Sequence, residues 1–186
     1  MSKWQSERVA LKFAQGGLPL VVVNPSFPFG PRDATPTPTG RMVLQLLKGE
    51  VPGVGAGGFN CVDVDDVAFG QVAAEQKGRV GERYLLADHD LTLKEFFAAV
   101  CEVGQVKTPT LPLPSGLFAA AALGLELWAD HVSHRAPMAT YRTVRYAQRQ
   151  AFFDPAKARR ELSFPSTPLK TSLTRAIDWF RAKGMV

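Results

Sequence analysis

His131-x-x-His134 beside Asp130 puts two imidazoles on one face of a turn, where they could begin a metal site. Zinc needs a third ligand and usually a fourth, and the sequence indicates neither, so no metal is expected. The adjacent acids Asp65-Asp66 could share acid–base work, yet they stand directly before the apolar helix pattern of Val67 to Glu75 and read as capping acids. Gly53 to Gly58 is rich in glycine, as a phosphate cradle would be. It does not lead from a buried strand into a helix, so it reads as a flexible turn and not a dinucleotide fingerprint. Cys61 and Cys101 sit in apolar segments without a CxxC spacing and read as buried, reduced thiols, which fits a cytoplasmic protein. Arg32, in a proline-rich stretch, is able to meet an anionic group or a surface acid.

The elements that must position these groups follow from periodicity. Ser2 to Gln15 reads as a helix stopped by Gly16-Gly17, and Leu18 to Val23 as a strand covered on both faces of a parallel sheet. A helix, a glycine turn and a buried strand make half of a βαβ unit. Asn24 to Thr39 reads as a long, rigid loop at the strand exit, where open α/β sheets bind ligands. Further on, a helix over Gly40 to Leu47, strands over Phe59 to Val64 and Arg83 to Ala87, and a helix over Leu93 to Val103 are predicted. The last of these opens on the capping box Thr92…Glu95. Pro109 to Pro114 reads as extended, Ser115 to Ala129 and Tyr141 to Arg149 as helices. Asp154-Pro155 opens a helix over Ala156 to Leu162, and Leu169 to Lys183 closes the chain as another.

The 186 residues suit one domain better than two, with 46% hydrophobic and 21% charged residues, an ordinary globular composition. The formal charge of +5 raises a nucleic-acid reading. The excess lies on late helices, from Arg142 to Lys183, and no nucleic-acid motif accompanies it, so solvated helix faces are expected and no nucleic-acid partner. Leu117 to Leu127 contains Glu126 and is too short to span a bilayer, which leaves no membrane partner expected.

Several stretches, in order, resemble the extended short-chain dehydrogenase/reductases of the NAD-dependent epimerase/dehydratase family, nearest to dihydroflavonol-reductase-like and hopanoid-associated sugar-epimerase-like members. Ser2-Lys3-Trp4-Gln5-Ser6-Glu7 is similar to that family's Ser-Lys-x-x-Ala-Glu stretch. Val23-Asn24-Pro25-Ser26-x-x-Phe29-Gly30-Pro31, with Arg32-Asp33 and Pro36 to Gly40, resembles its strand exit. Val62 to Ala68 resembles Val-His-Val-Asp-Asp-Val-Ala, with Asp63 in place of the histidine, which implies altered packing there. Gly81 to Leu86 and Ala176-x-x-Trp179-Phe180 also fit, so the resemblance covers essentially the whole chain.

The resemblance implies an α/β fold: the C-terminal part of a Rossmann-like doubly wound parallel sheet plus a smaller, mainly helical substrate-binding region. Residues 1–80 would be the tail of the dinucleotide-binding domain interleaved with substrate-region segments, and residues 81–186 the helical region. It implies NAD or NADP as cofactor and a small-molecule carbonyl, hydroxyl or nucleotide-sugar substrate. Lys3 is then the catalytic lysine, which also holds the nicotinamide ribose, and Pro25 lies beside the nicotinamide. Asn24, Ser26, Phe27, Pro28 and Arg32 would meet substrate. A free tyrosine, with a pKa near 10, is a poor base at neutral pH, and a neighbouring ammonium corrects this. The family's tyrosine falls two places before Met1, and the glycine-rich fingerprint and catalytic serine or threonine are not in this sequence. The chain alone is therefore expected to be inactive, with apolar faces on Ser2 to Gln15 and Leu20 to Val23 that favour a homodimer or aggregation. A non-catalytic truncated or split-gene remnant that at most pairs with a missing half is the alternative.

Overall fold

The computed structural model describes residues 2–112 and 150–186. The predicted helices over Ser115 to Ala129 and Tyr141 to Arg149, and the pair His131 and His134, lie outside them.

Helix α1 spans Lys3–Gln15 and opens on a capping box in which Ser2 and Gln5 satisfy each other's backbone amides. Strand β1 (Val22–Pro25) follows. It is shifted towards the C-terminus from the predicted Leu18 to Val23, because it pairs in parallel only where its partner β4 (Arg83–Leu86) is extended, from Val22 opposite Arg83 to Pro25 opposite Leu86. Pro25 is tolerated at this end. The amides of Val22 and Ser26 donate to Glu82 and Leu86, so with a two-residue alternation the N–H that proline lacks would face the other edge. Covering on both faces is not what the structure shows. Tyr84 and Leu86 are buried while Arg83 and Leu85 are exposed, and Val22 to Asn24 are half-buried.

The stretch predicted as loop holds a second strand, β2 (Phe27–Phe29), separated from β1 by Ser26 alone. Helix α2 (Pro38–Leu47) starts two residues before the predicted Gly40 because Thr37 caps it and Pro38 occupies its first turn. Strand β3 (Gly58–Asp63) is wholly buried. One of its edges pairs antiparallel with β5 (His89–Thr92). Its other pairings are both parallel: Gly58 and Phe59 with β6 (Gln150–Ala151), and Cys61 to Asp63 with β2. Val54 at the predicted glycine turn makes a parallel bridge to Pro112.

Helix α3 (Val64–Lys77) begins earlier than predicted, and its N-cap is Asp63, whose carboxylate accepts the Asp65 amide. Asp65 and Asp66 therefore sit inside the first turn. Asp66 is buried and accepts both the amide and the hydroxyl of Thr167. Helix α4 (Leu93–Gly104) has the predicted Thr92–Glu95 capping box. Helix α5 (Ala156–Leu162) has the Asp154 carboxylate on the Ala156 amide, and α6 (Leu169–Ala182) ends the fold.

Two hydrophobic clusters meet at β3. Phe29, Phe59, Cys61, Phe96 and Phe180 belong to the core shared with α2, α4 and α6. Phe27 and Phe59 at 5.3 Å, and Phe59 and Phe96 at 5.1 Å, meet edge to face, and Phe29 lies tilted against Phe96 at 4.9 Å. Val62 faces the second cluster, with Tyr84, Leu86, Ala158 and Leu162 under β1 and β4. Much of the late positive charge is spent on ion pairs: Lys157 on Glu82, Arg159 on Asp88, Lys170 on Glu102, and Arg175 on Asp63 and Asp65.

Candidate functional site

Two anchors set α1 against β1. Near the helix end, Ala14 packs by Gly81, whose amide donates to the carbonyl of Leu20, two residues before β1. Near the helix start, the Asn24 Nδ2 donates to the Glu7 carboxylate at 2.9 Å. The helix thus runs antiparallel to the strand, with its first turn at the strand exit. Lys3 stands four residues before Glu7, on the same helix face and one turn further towards that exit, and it is exposed. The bond from Asn24 and the Arg83 guanidinium at 2.9 Å hold the Glu7 carboxyl below its ordinary pKa.

At the exit itself Asn24, Pro25 and Ser26 are consecutive. The Asn24 Oδ1 is buried and has no hydrogen-bond partner among the described residues. Such an orphan acceptor costs free energy unless a ligand or another segment satisfies it. Ser26 extends the parallel ladder by one bond, its amide on Leu86, and then carries the chain from the first sheet into the second. Its hydroxyl donates at 2.7 Å to Oδ1 of the fully buried Asn60, which also accepts the Asp88 amide. The Asn60 Nδ2 donates at 2.7 Å to Asp90, fixing the amide's orientation. With its proton committed to Asn60, Ser26 Oγ offers lone pairs only.

The other expected substrate residues gather elsewhere. Phe27, Pro28 and Arg32 line a pocket of about 470 Å³ between β2, α2 and α6, whose wall includes Val43 and Phe180. Asp33 at its rim is engaged by the amide and hydroxyl of Thr37. Gly40 lies so close that a β-carbon there would collide with the Asp33 carboxylate. The structure therefore places Lys3, Asn24, Pro25 and Ser26 at one end of β1, and Phe27, Pro28 and Arg32 around the neighbouring pocket.

Glu7, Asn60 and Asp90 escaped the sequence reading as site residues. A signal existed for Asn60: an amide within the apolar run Phe59 to Val64 must find partners in the interior. Asp63, standing for the motif's histidine, is buried and takes the Ser172 hydroxyl at 2.5 Å besides Arg175, clamping α6 to the start of α3. Among the described residues no cluster of three or more His, Cys, Asp or Glu could hold a metal, and no helix is long and apolar enough to cross a membrane.

No family model matches the chain. A Synechocystis protein assigned as a dihydroflavonol 4-reductase is 33% identical over 100% of this chain and 55% of its own length. A nucleoside-diphosphate-sugar epimerase from Pseudomonas aeruginosa superposes with a TM-score of 0.80 at 34% identity, covering 98% of this chain and 55% of the epimerase. A Bordetella bronchiseptica enzyme seen in complex with NAD+ shares the fold, with a TM-score of 0.63 at 20% identity over 95% of this chain and 50% of that one. The chain spans about half the length of the relatives it matches, and its sheets and helices correspond to the C-terminal part of Rossmann-like reductases and epimerases. With its strand-exit, Val-x-Val-Asp-Asp-Val-Ala and closing-helix motifs set on that framework, this chain is similar throughout to the C-terminal half of dihydroflavonol-reductase-like and sugar-epimerase-like extended short-chain dehydrogenases/reductases.

Proposed function

We propose that this chain supplies the nicotinamide-facing and substrate-facing part of an NAD(P)-dependent reductase or epimerase acting on a small carbonyl, hydroxyl or nucleotide-sugar compound. The observation that carries the reading is the Glu7–Asn24 hydrogen bond, which sets the first turn of α1 at the exit of β1 and so brings Lys3 towards Pro25. In this reading residues 1–80 belong with the dinucleotide-binding domain and 81–186 with the substrate region.

The residues fit the nicotinamide end of a dinucleotide. The orphaned Asn24 Oδ1 is an acceptor waiting for a donor, and Pro25 presents no N–H at the edge beside it. Lys3, at the start of a helix whose free amides add positive potential, would stabilise negative charge on a neighbouring phenolate or sugar hydroxyl. A bound dinucleotide would supply the hydride donor or acceptor. Ser26 Oγ, fixed as an acceptor by Asn60, orients a hydroxyl or amide of whatever lies beside it. The sequence holds no strand–turn–helix glycine fingerprint for the pyrophosphate, so we place the 186 residues alone as inactive and weak in dinucleotide binding.

The test uses nicotinamide mononucleotide, which needs no adenylate site. Saturation-transfer NMR should show contact with its nicotinamide ring, diminished in Lys3→Ala and Asn24→Leu. Contact indifferent to both substitutions overturns the site. A sustained NAD(P)H-dependent rate from the purified chain would overturn its inactivity.

One observation favours the non-catalytic reading. Trp4, Phe13 and Leu18 are 64%, 63% and 48% exposed on and just after α1, an apolar surface suited to a homodimer or to a missing half. Sedimentation showing a monomer at all concentrations would remove the homodimer.

A further inference from the structure

We propose that the pocket between β2, α2 and α6 takes a flat apolar ring system carrying one anionic group, and that Arg32 holds the anion. This rests on the reading that Phe27, Pro28 and Arg32 face substrate, and it names the class of that substrate.

A volume of about 470 Å³ suits a small organic molecule. Phe27, Pro28, Phe29, Pro38, Val43 and Phe180 give most of the wall rings and methyl groups, with hydroxyls only from Thr37 and Thr39, so the ligand's body is held mainly by non-directional apolar contact. Arg32 is the one cation of the lining. The acid next to it, Asp33, is hydrogen-bonded elsewhere and not to Arg32. Both Asp33 oxygens accept from the Thr37 amide, and one also from the Thr37 hydroxyl, so Asp33 serves the start of α2. Among the described residues Arg32 makes no ion pair. An anion entering an apolar pocket needs a paired cation, and a guanidinium fits the planar fork of a carboxylate or the oxygens of a sulfonate or phosphate.

A second, independent observation concerns the backbone. Arg32 has φ of 73°, in the left-handed region that side chains disfavour and glycine enters freely. The two neighbouring residues are Pro31 and Asp33, so the turn is rigid on one side and tied to Thr37 on the other. A non-glycine residue held in such a conformation belongs where its side chain has a use, and here that use is the charge at the pocket.

Two fluorescent dyes that differ by one group test the idea: 1-anilinonaphthalene-8-sulfonate and its uncharged analogue N-phenyl-1-naphthylamine. Thr39→Trp, a half-buried pocket-lining position, serves to occlude the site without touching the apolar face of α1. The 186-residue chain should bind the sulfonate about tenfold tighter than the neutral amine, the size of one charge-assisted hydrogen bond. Arg32→Gln should abolish that preference with the amine unaffected, Arg32→Lys should restore part of it, and Thr39→Trp should weaken both dyes. Unchanged thermal melts establish that the variants are folded. Equal affinities for the two dyes, or a sulfonate affinity indifferent to Arg32→Gln, overturn the anion while Thr39→Trp still blocks both. If Thr39→Trp weakens neither dye, the pocket reading fails and the inference falls with it.

Discussion

The Ser26 hydroxyl and the Asn60 side-chain oxygen, 34 residues apart in sequence, are joined by a 2.7 Å hydrogen bond at the point where the chain leaves one sheet for the other. Asn60 is fully buried and has three partners, Ser26, the Asp88 amide and Asp90. Replacing it with alanine strands several of them at once, whereas Ser26→Ala removes one donor and leaves Asn60 two partners. We expect Asn60→Ala to cost about 3 kcal/mol of unfolding free energy and Ser26→Ala about 1 kcal/mol. Urea titration of the two variants checks the order. Equal losses would mean that Asn60 does not hold the junction.

Glu7 gives a pH dependence with a definite sign. Its folded pKa lies below the ordinary value of 4.5, chiefly through the Asn24 and Arg83 hydrogen bonds. A depressed acid contributes stability above its unfolded pKa and loses it as pH falls through the folded value. Wild type should therefore exceed Glu7→Gln in melting temperature at pH 6 to 7. The difference should shrink below pH 4.5 as the carboxylate takes up its proton. A gap that stays constant across the acid range would show that Glu7 is not held below its ordinary value.

Arg32 separates stability from binding. Arg32→Gly removes the side-chain penalty at φ of 73° and should stabilise the chain by about 1 kcal/mol, less the glycine entropy of the unfolded state. The same substitution should lose the sulfonate preference. Thermal unfolding beside dye titration measures both, and a destabilised Arg32→Gly would refute the strain.

Cys61 and Cys101 are each 1% exposed, and burial raises both thiol pKa values. Thiolate is the reactive form, so neither should react with iodoacetamide in the native chain at neutral pH, and both should do so in denaturant. Stoichiometric native labelling at Cys61 would show that β3 opens.

Local signals carried the helices well. Thr92 and Glu95 satisfy the capping box that their spacing announced, and Leu173, Ile177 and Phe180 face the core as their periodicity required. Strands were less legible. β2 has three residues, one of them Pro28, and β6 has two, so no alternation could reveal them and only the pairing to β3 makes them strands. The run Leu18 to Val23 advertised a strand, but its bounds came from where Arg83 to Leu86 lies extended, which no local pattern encodes. Asp65 and Asp66 looked like caps because acids favour a first turn, while the capping itself fell to Asp63, hidden inside the apolar stretch. Apart from Lys3, the residues expected at the candidate site form one segment, Asn24 to Arg32. Its division between the strand exit and the adjoining pocket was not legible, because that division depends on Ser26 turning towards Asn60.

The edge of β3 imposes an order of assembly. Gly58 and Phe59 take their parallel partners from Gln150 and Ala151, more than ninety positions later, whereas Cys61 to Asp63 find β2 about thirty positions earlier. On a ribosome the β2–β3 and β3–β5 seams are available long before the β3–β6 seam. The two-residue strand at 150–151 is the last of the partners of β3 to be synthesised, and its pairing spans the largest sequence separation of the three.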